Sequence, residues 1–198
     1  VTATRSVPAE VLRNDYGIGE VDLSVLEGPE DTRDERIIAE MHRLETAQAD
    51  VLLDHLGDVS PDDRLLDTGF DTATRRAIWN NESTMYVDLF AEHSRQLAFG
   101  GRYVTITGCY NDVTGGRSKA VAQIDQHYTC NIHPRSAYFK AMTANDLVPI
   151  SVLDLTAQTI PYWELRARSS VATGIEDPFL TAYREGSFHY LLIAADRV

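Results

Sequence analysis

Apolar residues between positions 33 and 57 recur at spacings of three and four: Ile37, Ile38, Met41, Leu44, Ala47, Val51, Leu52 and Leu56. That period marks one face of an amphipathic helix. Pro29-Glu30-Asp31 opens it with acids at the positive end of its dipole, and Gly57 stops it. Before it, Asp15-Tyr16-Gly17-Ile18-Gly19 reads as a turn or lid element. After the turn at 58–63, Arg64-Leu65-Leu66-Asp67 is a short buried strand and Arg76-Ala77-Ile78-Trp79 the next. Residues 85–97 fit a helix with Met85, Leu89, Phe90 and Leu97 on one face. Leu97-Ala98-Phe99-Gly100-Gly101 closes that helix, its diglycine supplying a left-handed cap before a strand over 102–108. A helix over 138–145, a strand over 147–155, a helical stretch over 161–183 interrupted at Gly174 and Pro178, and a strand over 188–195 complete the pattern. Strands alternating with helices predict an α/β sheet, with 1–57 as N-terminal lid and helices and 58–198 as the core. No internal repeat or low-complexity tract breaks the series.

Composition narrows the chemistry. The 198 residues carry 30 Asp or Glu against 18 Lys or Arg, a formal net charge of −12. Such a balance argues against non-specific nucleic-acid binding, which depends on clustered cations. No apolar run approaches the ~20 residues of a bilayer span, and the first eleven residues show no basic head followed by an apolar stretch. Cys109 and Cys130 have no zinc or redox spacing, and two cysteines in this length fit a reducing cytoplasm.

From Leu65 onward the pattern resembles Rossmann-like, class I S-adenosylmethionine-dependent methyltransferases. Leu65-Leu66-Asp67-Thr68-Gly69 opens like a strand-to-glycine-loop signature, the diglycine leads into a strand, and the last two strands are split by a long helical segment. That closing pair implies a mostly parallel sheet with an antiparallel last strand. A more specific resemblance is to bacterial geranyl diphosphate C-methyltransferases. It is carried by Tyr16-Gly17-Ile18-Gly19, Trp79-Asn80-Asn81-Glu82-Ser83-Thr84-Met85-Tyr86-Val87-Asp88, the 101–109 strand, Cys130-Asn131-Ile132-His133, Pro161-Tyr162-Trp163-Glu164-Leu165-Arg166 and the tail from Leu192. One departure stands out. Asp67-Thr68-Gly69 reaches the Trp79 strand in ten residues, whereas the family fold needs two further βαβ units there, each of roughly 30 residues. Part of the cofactor lobe is missing near 69/70. Either it has been lost, or the protein carries roughly 60 further residues at that point; the glycine loop, cut off before its later glycines, favours the second.

The resemblance implies methyl transfer to an alkene carbon of geranyl diphosphate, with S-adenosylmethionine and Mg²⁺ as cofactors and a homo-oligomeric assembly. An alkene that captures a methyl group becomes a carbocation and must then lose a proton, so the site needs a base and electron-rich walls. Glu82, just past a strand's carboxyl end, is the candidate base; without the resemblance it reads as a surface carboxylate or a neighbour of a helix cap. Tyr86, one helical turn on, and Tyr128 are the candidate cation-stabilising aromatics, although a buried Tyr is as often plain core. Trp79 and Trp163 read as packing residues. Tyr16 and Asn111 are candidate diphosphate or water anchors. Arg13, Arg117 and Lys119 could add charge but equally fit solvated surface. Asp67, Gly69, Gly19 and Asn80 are the candidate cofactor contacts. Metal ligands are expected to come from diphosphate oxygens and water, so none is assigned, and His127 and His133 need no metal to explain them.

Relatives of the C2-methylating type serve 2-methylisoborneol formation and carry histidines before the Tyr-Gly-Ile-Gly block, with Phe where Tyr128 stands. This chain has Arg13-Asn14-Asp15 and Tyr128, which favours the C6-methylating type of benzastatin biosynthesis. Two alternatives remain. One is a sterol- or fatty-acyl-type C-methyltransferase, disfavoured by the acidic surface and the lack of a basic amphipathic helix. The other is a degenerate, non-catalytic binding protein of the same fold.

Overall fold

The computed structural model describes residues 16–58, 65–67, 75–81, 89–113 and 116–198. The helix anticipated from the three-four period is α1 (Arg33–Asp54), with Asp34 and Glu35 in its first turn. Two short 3-10 segments, Leu23–Leu26 and Glu30–Thr32, lead into it, and Gly57 turns the chain away at φ 76°. Five strands follow: β1 (Leu65–Asp67), β2 (Arg75–Asn81), β3 (Leu97–Tyr110), β4 (Leu147–Asp154) and β5 (Phe188–Arg197). They form one sheet in the order β1-β2-β3-β5-β4. Strands β1, β2 and β3 pair in parallel, and β5 lies antiparallel between β3 and β4. Between them run α2 (Leu89–Gln96), α3 (Lys119–Tyr128), α4 (Arg135–Ala144), α5 (Thr156–Arg166) and α6 (Glu176–Arg184).

Alternation along the strands sorts their side chains onto two faces. On one face Ala77, Val104, Ile106, Leu192 and Ala194 pack with Leu44 and Leu52 of α1, Ile124 of α3, Trp163 of α5 and Phe179 of α6. On the other, Ile78, Tyr103, Leu191 and Ile193 pack with Phe90 of α2 and with Tyr138 and Met142 of α4. Each Val, Leu, Ile, Phe or Met among them contributes about 1.5–3 kcal/mol when removed from water. Helix α1 therefore shares a single apolar cluster with the sheet.

Three expectations are corrected. The diglycine is no helix cap: α2 ends at Gln96 and Leu97 is already in β3. Leu97 pairs with Arg75 and Arg102 with Ala77, so four residues of β3 face one of β2. They fold into a bulge in which Gly100 takes φ 71°. A Cβ on Gly101 would lie 2.8 Å from the Ala98 carbonyl oxygen, so the bulge demands both glycines. The second correction concerns Pro178, which does not interrupt a helix. It stands in the first turn of α6, where a missing N–H costs nothing. Pro161, by contrast, lies in the interior of α5 without ending it, and the break between the two helices falls at 167–175. Third, α3 has no counterpart in the sequence reading.

Candidate active site

Parallel strands leave their carboxyl ends on one edge of the sheet, where ligands of open α/β folds bind. Here β1 ends at Asp67 and β2 at Asn81, while β3 runs on to Tyr110. Asn81 pairs with Ile106. Two residues further, Gly108 pairs with Tyr190 of the antiparallel β5. A Cβ at Gly108 would fall 2.3 Å from Phe188 Cζ; only glycine lets that ring lie across β3.

An aromatic wall is built at this point. The Tyr16 ring meets Trp163 at 4.8 Å, Phe179 at 5.2 Å and Tyr190 at 5.3 Å between centroids. Phe179 stacks on Trp163 at 3.9 Å and also meets Tyr128 at 6.2 Å. Two of the aromatic residues singled out from the sequence, far apart in the chain, thus converge on Phe179. Helix α1 holds Tyr16 from behind. Ile18 N–H donates to the Leu44 carbonyl and Gly19 N–H to that of Gln158. Gly17 fits so closely that a Cβ would stand 2.5 Å from Leu44 Cβ and from a Tyr162 ring carbon. Gly19 takes φ 114°, and a Cβ there would meet Leu44 Cδ2 at 3.6 Å.

Other candidates fall differently. Asn111 braces the turn before β5: its Nδ2 donates to the Gly186 carbonyl at 3.2 Å, and its Oδ1 accepts from Val113 N–H. Arg117, just before α3, is committed to groups within and after that helix. It pairs with Asp125 at 2.7 Å and donates to Asn131 Oδ1 and the Ile132 carbonyl, while Asp125 accepts from Ile132 N–H. The guanidinium thereby holds the segment following Tyr128. His127 packs its ring on Tyr128, and the His133 carbonyl accepts from Tyr110 N–H. Burial pushes the Cys109 thiol up to about 12. Burial and the nearby Asp125 push Cys130 up to about 11. Both stay protonated near neutrality, too weakly ionised to act as nucleophiles. Asp67 and Asn80 contribute described backbone to β1 and β2. Glu82, Tyr86, Gly69 and Arg13 lie outside the described residues.

Sequence reasoning did not single out Phe179 or Tyr190, and Trp163, read as a packing residue, is buried against Phe179. No local spacing announces such residues, because the wall forms only when α5, α6 and β5 pack together. Among the described residues, no three of His, Cys, Asp and Glu come close enough to hold a metal ion. None of their helices is long and apolar enough to cross a membrane.

No protein-family model matches the chain. A curated relative, geranyl diphosphate 2-C-methyltransferase of Saccharopolyspora erythraea, is 53% identical over 92% of this chain and 85% of its own length. A crystal structure of geranyl diphosphate C-methyltransferase from Streptomyces coelicolor A3(2), in complex with Mg²⁺, geranyl diphosphate and S-adenosyl-L-homocysteine, superposes with TM-score 0.89. It is 45% identical, with 94% of this chain and 91% of that chain covered. A geranyl diphosphate methyltransferase structure in complex with SAM reaches TM-score 0.90 at 45% identity, over 95% of this chain and 100% of that chain. The alignment with the Saccharopolyspora relative runs to 241 positions yet takes in 92% of 198 residues. Roughly 60 positions of that relative therefore face no residue here, about two βαβ units. The intact protein is accordingly expected to weigh several kilodaltons more than the 22.1 kDa of these residues. Mass spectrometry of the protein purified from its source checks this, and agreement with 22.1 kDa would mean the lobe is absent.

Proposed function

This chain belongs to the geranyl diphosphate C-methyltransferases, and we propose that it transfers a methyl group from S-adenosylmethionine to carbon 2 of geranyl diphosphate, with Mg²⁺ on the diphosphate. The observation that carries the reading is the convergence of Tyr16 and Tyr128 on Phe179 at the carboxyl edge of the sheet. Carbon 2 is preferred over carbon 6 because the curated relatives are 2-C-methyltransferases. Tyr128 in place of Phe adds a hydroxyl to the wall without removing its π face, so that exchange alone does not redirect the methyl group.

When bound, the sulfonium cofactor supplies an electrophilic methyl group, and the alkene's π electrons form the new C–C bond as the S–C bond breaks. Positive charge then rests on the prenyl chain. Rings at the positions of Tyr16 and Tyr128, backed by the buried Phe179, stabilise such a charge by about 0.5–2 kcal/mol each. Glu82 takes the proton whose loss restores the double bond. What supports that role is its place in the chain: it follows Asn81, where β2 ends beside Ile106, two residues short of Gly108 and its partner Tyr190. Asp67, Gly69, Gly19 and Asn80 would hold the cofactor; Gly19, with its positive φ, fits a close backbone approach. Mg²⁺ prefers hard oxygen ligands, which the diphosphate and water provide. It also offsets the repulsion between a substrate anion and a protein of net charge −12.

Incubation of the full-length protein with geranyl diphosphate, S-adenosylmethionine and Mg²⁺ is expected to give a C11 prenyl diphosphate. NMR should locate the new methyl group on carbon 2. A methyl group on carbon 6 would overturn the position, and no methylated product would overturn the reading.

A further inference from the structure

Gln48, in the middle of α1, is a fully buried amide in an apolar neighbourhood that includes Leu44 and Leu52. Burying an amide is costly unless its hydrogen bonds are made, and an apolar side chain would serve packing as well. What the amide does is donate from Nε2 to the Tyr190 hydroxyl at 2.5 Å. Tyr190 stands opposite Gly108, which has no side chain to hold it. Its backbone is tied to the start of α5: its N–H donates to Thr156 Oγ1, and its carbonyl accepts from Leu155 N–H. Those bonds locate the strand; core packing encloses the ring, and the Gln48 amide holds its phenol end.

The same face of α1 holds the other side of the wall. Leu44, one turn before Gln48, accepts from Ile18 N–H and abuts Gly17, the two residues behind Tyr16. Between them Glu45 accepts from the Tyr162 hydroxyl at 2.8 Å. One helical turn therefore grips the backbone that carries Tyr16 and the hydroxyl that aims Tyr190, two rings 5.3 Å apart. We propose that Gln48 is a positioning residue for the methyl transfer: through Tyr190 it sets the gap between the Tyr16 and Tyr190 rings, and so the placement of the prenyl chain against the methyl donor and the base. This rests on the reading above, in which the aromatic wall meets the substrate. Gln48 itself touches no reacting atom.

The test uses full-length protein with geranyl diphosphate, S-adenosylmethionine and Mg²⁺. Gln48→Leu keeps the volume and removes the bond. Its kcat is expected to fall about tenfold or more, since small misplacements of reacting groups have large kinetic costs, while KM for geranyl diphosphate changes less than about twofold. The methylated product should also split into double-bond or positional isomers, a readout that mere loss of stability would not move. Tyr190→Phe removes the same bond from the other side and retains the ring, so it should reproduce the split. The double variant should be no worse than either single one. Wild-type kcat with one product isomer in folded Gln48→Leu overturns the proposal; if that variant does not fold, the same result in Tyr190→Phe does so. A wild-type protein inactive on geranyl diphosphate overturns the reading beneath it instead.

Discussion

Glu82→Gln is expected to bind geranyl diphosphate with nearly wild-type affinity and to lose about 10²–10⁴-fold in kcat, the usual worth of a positioned general base. The substitution preserves shape and removes only the capacity to take a proton. Without that capacity the cation formed by methyl capture has no nearby acceptor and can return to substrate or be trapped by water. Comparing substrate affinity by calorimetry with turnover from labelled S-adenosylmethionine separates the two effects. Turnover within about threefold of wild type would remove Glu82 from the role, because a base that contributes so little lies below the catalytic range.

Glu176→Ala should be strongly destabilising. The carboxylate is buried at the start of α6. It pairs with Arg166 of α5 and accepts from the N–H groups of Thr173 and Gly174. Arg166 lies over the Trp163 ring at 5.6 Å, and Trp163 supports Phe179. Truncation leaves a guanidinium without its counter-charge and frees the 167–175 connection, at a cost of about 3–5 kcal/mol. For a chain of this size that corresponds to a fall of about 10 °C in melting temperature. Glu176→Gln retains the acceptor toward the two amides and should lose less. Calorimetric melts of both variants check this, and equal melting temperatures for Ala and wild type would show that the pair contributes nothing.

Long periodic elements were legible before the fold. Helix α1 announced itself because about six turns of apolar spacing outweigh any single residue, and β5 because 188–195 is an almost unbroken apolar run. Local signals with two physical meanings were not. Gly100-Gly101 satisfies a helix cap and a strand bulge equally, since both need a positive φ or a close carbonyl, and only the pairing of Leu97 with Arg75 decides between them. Pro178 breaks a helix from inside but starts one from its first turn, and the difference lies in where Gly174 turns the chain. In the site, Tyr16 and Tyr128 stood out because they lie in or beside distinctive blocks. Phe179 and Tyr190 did not, because their meeting depends on how α5, α6 and β5 pack. Arg117 could be read only as a free cation until the fold brought its guanidinium against Asp125, two helical turns away.

The wall joins Tyr16, near the beginning of the described chain, to Tyr190 on the last strand, and β5 is the strand that links β3 with β4. During synthesis neither the sheet's connection across its middle nor the contact between these rings can exist until β5 has left the ribosome. Nascent protein should thus stay incompetent for catalysis until that strand emerges. A stop codon placed before residue 188 would abolish function outright instead of merely trimming a tail.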